Sequence, residues 1–194
     1  MKVVLDIETD GFNPSKIHCI VAKDIDTNTV YVWDSYNMYG FKSWAKDIDK
    51  FIMHNGLSFD APVLNRLLNA EILPGNIVDT LILSQLFNPI REKGHGLRAW
   101  GEKLNMLKGG EGVNFLKYNQ AMLDYCKQDV EITHAVYKEL LIEGKGFTKE
   151  SIDLEHDIRL IIDQQEKNGF AFDMMKAQQL LAKLKEDIYD LERS

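Results

Sequence analysis

The chain has 194 residues, 45% of them hydrophobic and 27% charged. That is the profile of a soluble globular protein, with one ordinary domain or a domain and an appendage. A formal net charge of −7 argues against gripping nucleic acid by bulk electrostatics, but leaves open contact with phosphate through bound divalent metal.

No run reaches transmembrane length, and the first residues lack the regions of a secretory leader, so no membrane partner is expected. The two cysteines, Cys19 and Cys126, make no metal-ligand spacing. They sit in apolar-patterned segments and read as buried free thiols of a reducing cytosol.

In chain order, "KVVLDIE", "IHCIVAKDI" and "TVYVWD" are predicted strands, with "DTNT" turning between the last two. "GFKSWAKDIDK" predicts a short helix and "FIMHN" a short apolar strand. "DAPVLNRLLNAEI" predicts a helix capped by Asp60, with proline soon after it. "VDTLILSQLF" predicts another helix, with Asp79 as its cap, while the polar, basic "NPIREKGHG" has the pattern of a mobile loop. "LRAWGEKLN" and the run from Leu116 to Glu143 are predicted helical. Early strands with helices between and after them indicate an α/β fold.

Asp6 and Glu8 sit two apart at the end of the first apolar strand. They therefore project side by side, where like charges repel. In the long helix, Leu123, Cys126, Val130, Thr133, Tyr137 and Leu140 mark a buried stripe, and Tyr125 and Asp129 lie one turn apart on its flank. Asp60 stands at a strand-to-helix junction after His54-Asn55-Gly56, a position that faces the carboxyl ends of strands. Four carboxylates of this kind suit hard cations such as Mg²⁺ or Mn²⁺ rather than zinc. Metal charge between them would offset the repulsion of Asp6 and Glu8.

"DIET", "HNGLSFD" and "YCKQDV", in that order, resemble motifs I, II and III of the DEDD 3′–5′ exonucleases, in the subclass with tyrosine in motif III. "VDTLILSQL", "LRAWGEKL" and "EHDIRLIIDQQEKNGFAFD" extend the likeness over nearly the whole chain. The family they extend it to is the proofreading domain of the family A DNA polymerases of T-odd podophages. The resemblance implies a ribonuclease H-like mixed sheet flanked by helices, with an exonuclease domain at 1–147 and a helical extension at 148–194. It implies release of deoxynucleoside monophosphates from single-stranded or frayed DNA 3′ ends, in the bacterial cytosol during phage infection. RNase D-like action on RNA, or a docking module of a split polymerase, are the alternatives.

It also implies roles. Asp6 would bridge two divalent cations, Mg²⁺ or Mn²⁺, with Glu8 and Asp129 completing one and Asp60 holding the other. Tyr125 would orient the attacking water. Asn55 would contact substrate, Phe12 would lie against the terminal base, and Thr9 and His54 would belong to the same substrate-binding set.

Other residues have plainer readings. His54 is expected to be hydrogen-bonded rather than a zinc ligand, and Asp10 and Asp79 to be turn or cap residues. His95, with Arg91, Lys93 and Arg98, either touches phosphate or sits in a solvated loop. His18, His134 and His156 show no convergent partner. Trp33, Trp44 and Trp100 are expected to pack in or beside the core.

From Asp173 onward, Ala177, Leu180, Leu181, Leu184, Ile188 and Leu191 recur at helical spacing, predicting an amphipathic helix capped by Asp173. Its stripe is expected to pack back on the core or pair with a second copy, with a separate polymerase chain as the other partner.

Overall fold

The computed structural model describes residues 1–106, 109–110 and 113–193. Its strands are β1 (Lys2–Thr9), β2 (Ile17–Asp24), β3 (Val30–Trp33), β4 (Lys50–Met53) and β5 (Ile77–Asp79). The early helices are α1 (Phe41–Ala45), α2 (Asp60–Leu68), α3 (Thr80–Phe87) and α4 (Leu97–Lys103). The later ones are α5 (Gln120–Glu143), α6 (Lys149–Asn168) and α7 (Met174–Arg193).

One sheet runs in the order β3-β2-β1-β4-β5. β1 is central, antiparallel to β2 and parallel to β4. The α/β class and mixed sheet are as the sequence predicts.

Alternation along β1 decides the layers. Val3, Leu5 and Ile7 join Phe41, Ala61 and Leu64 from α1 and α2 in one core cluster. Val4, with Cys19, Val21 and Ile52, turns to the other face and meets Met122, Cys126 and Val130 of α5. A sheet covered on both faces needs apolar residues at both parities, and all eight residues of β2 are buried. On the α5 face, Lys23 reaches Glu131 of α5 at 2.6 Å. A third cluster packs α3, α4 and α5 together around Trp100, Ile132 and Leu140.

Several boundaries differ from the prediction. Asp79 caps α3 as predicted, but Val78 and Asp79 also end a three-residue strand, β5, whose Asp79 pairs with Met53 of β4. A strand this short carries too little alternation to be read from sequence. The long helix begins at Gln120 rather than Leu116, because Asn119 caps it by accepting from Met122 N at 2.9 Å. Asp60 is not a cap: that position is Phe59, without a side-chain hydrogen bond, and Asp60 lies in the first turn. The basic loop is irregular but tethered, with Arg91 bound to Glu143 and to Ser84. Trp33 and Trp44 pack at 4.5 Å between ring centroids, and Trp100 is buried, as expected.

The chain divides into two compact units, Met1–Ile161 and Ile162–Ser194. α6 belongs to the first as far as Ile161. Asp173 caps α7 as predicted, accepting from Lys176 N at 3.0 Å. The stripe of α7 is exposed, Leu184 at 48% and Leu191 at 75%.

Burial separates two otherwise similar truncations. Ile132→Ala in α5 should cost about 2–5 kcal/mol, whereas Leu184→Ala in α7 should stay within about 0.5 kcal/mol. Urea unfolding measures both, and equal losses would mean that the α7 stripe is covered.

Candidate active site

The site begins with a strand irregularity. Glu8 pairs with Cys19 but Thr9 pairs with Ile17, so β2 carries one extra residue, His18. A bulge bends its strand and re-aims side chains. Here it falls where β1 ends, beside Glu8. His18 turns its Nε2–H to the carbonyl of Phe115, at 3.0 Å. Asp6 and Glu8 share the parity of Val4, so both project toward α5.

There Cys126 directs its thiol at Asp6, 3.4 Å from the carbonyl oxygen and 3.5 Å from Oδ2. Ligand atoms of Asp6, Glu8 and Cys126 all lie within 4.8 Å of one another. One turn of α5 presents Tyr125 and the buried Asp129 to the same space, and α2 adds the buried Asp60. Tyr125 is held edge-on against Phe115, with ring centroids 6.2 Å apart. On another side it meets Gly110, where a Cβ would come 2.7 Å from the ring.

Motif II forms a tight turn. Asn55 has φ +67°, a left-handed conformation uncommon outside glycine. At Gly56 a Cβ would fall 2.2 Å from that of Met53, so only glycine fits. His54 Nδ1 lies 2.9 Å from Thr80 Oγ1, whose own hydrogen goes to Met53 O. The imidazole therefore donates from Nδ1.

All nine sequence-predicted residues line one cleft of about 620 Å³. Thr9 donates its hydroxyl to Gly11 O at 2.9 Å, and Phe12 stands fully exposed at the rim. Asp10 serves the turn instead, accepting from Ser15 and Lys16. His95 sits 2.9 Å from Ser84 Oγ, in a packed cluster rather than free in solvent.

Sequence reasoning missed several neighbours. Cys126 lies on the predicted buried stripe, but its proximity to Asp6 depends on how helix and sheet pack. Asp79 was readable as a cap, and it does accept from Leu81 N at 3.0 Å. The same carboxylate also accepts from Asn55 N and Leu57 N. His156 has a partner after all, the backbone N–H of Asp79 at 3.0 Å.

Electrostatics sets the character of the cleft. Desolvation, then the charges of Asp60, Asp129 and Glu8, hold the Asp6 carboxyl well above the usual range. Burial and then Asp79 push Asp60 from 3.8 to about 7. Burial pushes the Cys126 thiol up as well, so it stays an S–H donor to Asp6. Carboxylates gathered in one cleft, Asp6 and Asp60 among them with raised affinity for positive charge, fit hard divalent cations.

No protein-family model matches the chain. It is 30% identical to the DNA-directed DNA polymerase of Escherichia phage T7, over 94% of this chain and 35% of that protein. The corresponding polymerase of Enterobacteria phage T3 is 28% identical over the same shares. The chain is related in sequence to these phage polymerases.

It spans about 35% of the length of these polymerases. Among solved structures, Brucella melitensis NrnC bound to pGG superimposes with a TM-score of 0.66 at 23% identity, covering 89% of this chain and 90% of that one. The same protein with bound Mg²⁺ gives 0.62 at 22%, with the same coverage. Escherichia coli RNase D, described as an exoribonuclease, gives 0.61 at 18%, covering 88% and 46%. These likenesses show that the chain shares their ribonuclease H-like fold.

The raised carboxyls fix the sign of a pH effect. Asp60 holds its proton to about pH 7 when folded and to about 3.8 when unfolded, so between these values the folded state binds more protons. Its contribution to stability is therefore lost as pH rises through that window. Burial lowers the His134 pKa, which gives the opposite slope. The comparison that isolates Asp60 is with Asp60→Asn. In EDTA, melting temperature should fall more steeply from pH 5 to pH 8 in wild type than in the variant. Parallel curves would show that Asp60 is not strained.

Proposed function

We propose that this chain is a divalent-metal-dependent 3′–5′ exonuclease. It removes deoxynucleoside monophosphates from single-stranded or frayed DNA in the bacterial cytosol. The observation that carries this reading is convergence: carboxylates from β1, α2 and α5, with one tyrosine, face a single cleft. Likeness to two phage DNA polymerases over 94% of the chain supports DNA as the substrate.

Asp6, Glu8, Asp60 and Asp129 would hold two cations, Mg²⁺ or Mn²⁺, with Asp6 shared between them. Bound there, the cations supply an activated water at neutral pH and stabilise the leaving 3′ oxygen. No side chain need act as nucleophile. Tyr125 orients the attacking water through its hydroxyl, which suits a group whose ordinary pKa is about 10 better than general-base work does. The ring is braced by Gly110 and Phe115, so the hydroxyl is aimed before substrate arrives. Asn55 and His54 bind the terminal nucleotide from the motif II turn, and Thr9 and Phe12 from the end of β1. The exposed Phe12 supplies an apolar surface for the base.

Residues 1–147 form the exonuclease domain in this reading, and 148–194 lead toward a polymerase domain. The exposed stripe of α7 is the surface for that domain. A dimer through the same helix is the alternative, and light scattering distinguishes the two.

Matched DNA and RNA oligonucleotides, each with and without EDTA, test the reading. DNA should be degraded from its 3′ end only when divalent metal is present. Preference for RNA would favour the exoribonuclease alternative, to which the fold likeness to RNase D lends its support. Asp6→Ala should abolish activity and leave the fold intact; activity surviving in it, or in EDTA, would end the two-metal mechanism.

Tyr125→Phe should slow turnover by about 10² or less, since a positioned acid–base group is worth typically about 10² to 10⁴. A Tyr125→Phe enzyme as inactive as Asp129→Ala would assign the hydroxyl a larger part.

A further inference from the structure

Asp79 is only 1% exposed and lines no part of the cleft. As a helix cap it needs one backbone donor. It has three: Oδ1 accepts from Asn55 N at 2.9 Å and from Leu81 N at 3.0 Å, and Oδ2 accepts from Leu57 N at 3.0 Å. Two of these belong to the motif II turn, where Asn55 is left-handed and Gly56 has no room for a side chain. Backbone N–H groups turned inward by so tight a bend need acceptors, and Asp79 supplies both.

The next residue handles the ring before that turn. The hydroxyl of Thr80 donates to Met53 O and accepts from His54 Nδ1. Asp79 is itself anchored. Its register places it beside Met53, and its N–H donates to His156 Nε2, while His156 Nδ1 lies 2.8 Å from Ile152 O.

We infer that Asp79 and Thr80 are positioning residues for substrate binding: Asp79 sets the backbone that carries Asn55, and Thr80 sets the ring of His54. Neither touches substrate or metal; both act through residues that do. The inference rests on the exonuclease reading for its kinetic consequence, but not for its hydrogen bonds.

The substitutions that test it keep shape. Asp79→Asn replaces one acceptor oxygen by an NH₂ that must oppose an N–H, and Thr80→Val removes the hydroxyl. On a short single-stranded DNA, Asp79→Asn should raise KM about tenfold with kcat within about threefold, the pattern of lost binding rather than lost chemistry. In an Asn55→Ala background the same substitution should change KM by less than about twofold, since residues acting through one another are not additive. Thr80→Val should behave likewise against His54→Ala.

A full KM effect retained in either background, or a fall in kcat with KM unchanged, would overturn the inference. Amide exchange gives a readout without activity. The Asn55 and Leu57 amides should exchange slowly in wild type and quickly in Asp79→Asn, and fast exchange in wild type would sink the hydrogen-bond half. Wild-type protein that hydrolyses no nucleic acid would fail the exonuclease reading, and amide exchange alone would then decide the positioning of the turn.

Discussion

Mutual repulsion of carboxylates at the end of β1 is the constraint around which the rest of this molecule is arranged. Asp6 feels desolvation and three neighbouring negative charges, and Asp60 is pushed to about 7 by burial and by Asp79. A fold keeps such a cluster only if its framework is stable without it. Here the framework is β1 and β2, buried on both faces, with α5 laid across one side. The backbone also relieves part of the strain, since the N–H groups of Ile7 and of Asp60 itself hold the Asp60 carboxyl lower than burial alone would.

How the carboxylates reach one place follows from three local devices. The bulge at His18 ends regular pairing beside Glu8. The left-handed Asn55 and the crowded Gly56 reverse the chain between β4 and α2, which brings Asp60 round to the strand ends. The helical period of α5 then places Tyr125 and Asp129 on one flank while Cys126 and Val130 face the sheet. Each device is a few residues long, and each depends on the sheet for its orientation.

That explains what could be read from the sequence. The apolar run of β1 and the three-and-four spacing of α5 are long patterns, so the class, the first strand and the carboxylates that line the cleft were legible. The likeness of three short motifs to known exonucleases added the roles. Features that depend on tertiary packing were not legible. β5 is three residues long, and its partner is set by register with β4. Asp60 looked like a cap because it precedes a proline-containing helix, but the cap position fell to Phe59. Asp79 was read correctly as a cap and incompletely as anything more, since two of its donors lie more than twenty residues away. The thiol beside Asp6 is 120 positions distant in sequence.

The choice of partner for Asp6 has a further consequence. A lysine or arginine there would neutralise the carboxylate and displace added cations. The thiol of Cys126 is neutral, with its pKa raised by burial, and donates only weakly. Three basic side chains of the first unit are engaged elsewhere: Lys23 on Glu131, Arg91 and Lys103 on Glu143. Among the described residues lining the cleft there is no lysine or arginine. In a chain of net charge −7, a phosphate entering that cleft meets carboxylates and, among the described lining residues, no cationic side chain. Under the exonuclease reading, bound metal would then supply part of its attraction to the site. Removing the cations would then weaken binding as well as catalysis.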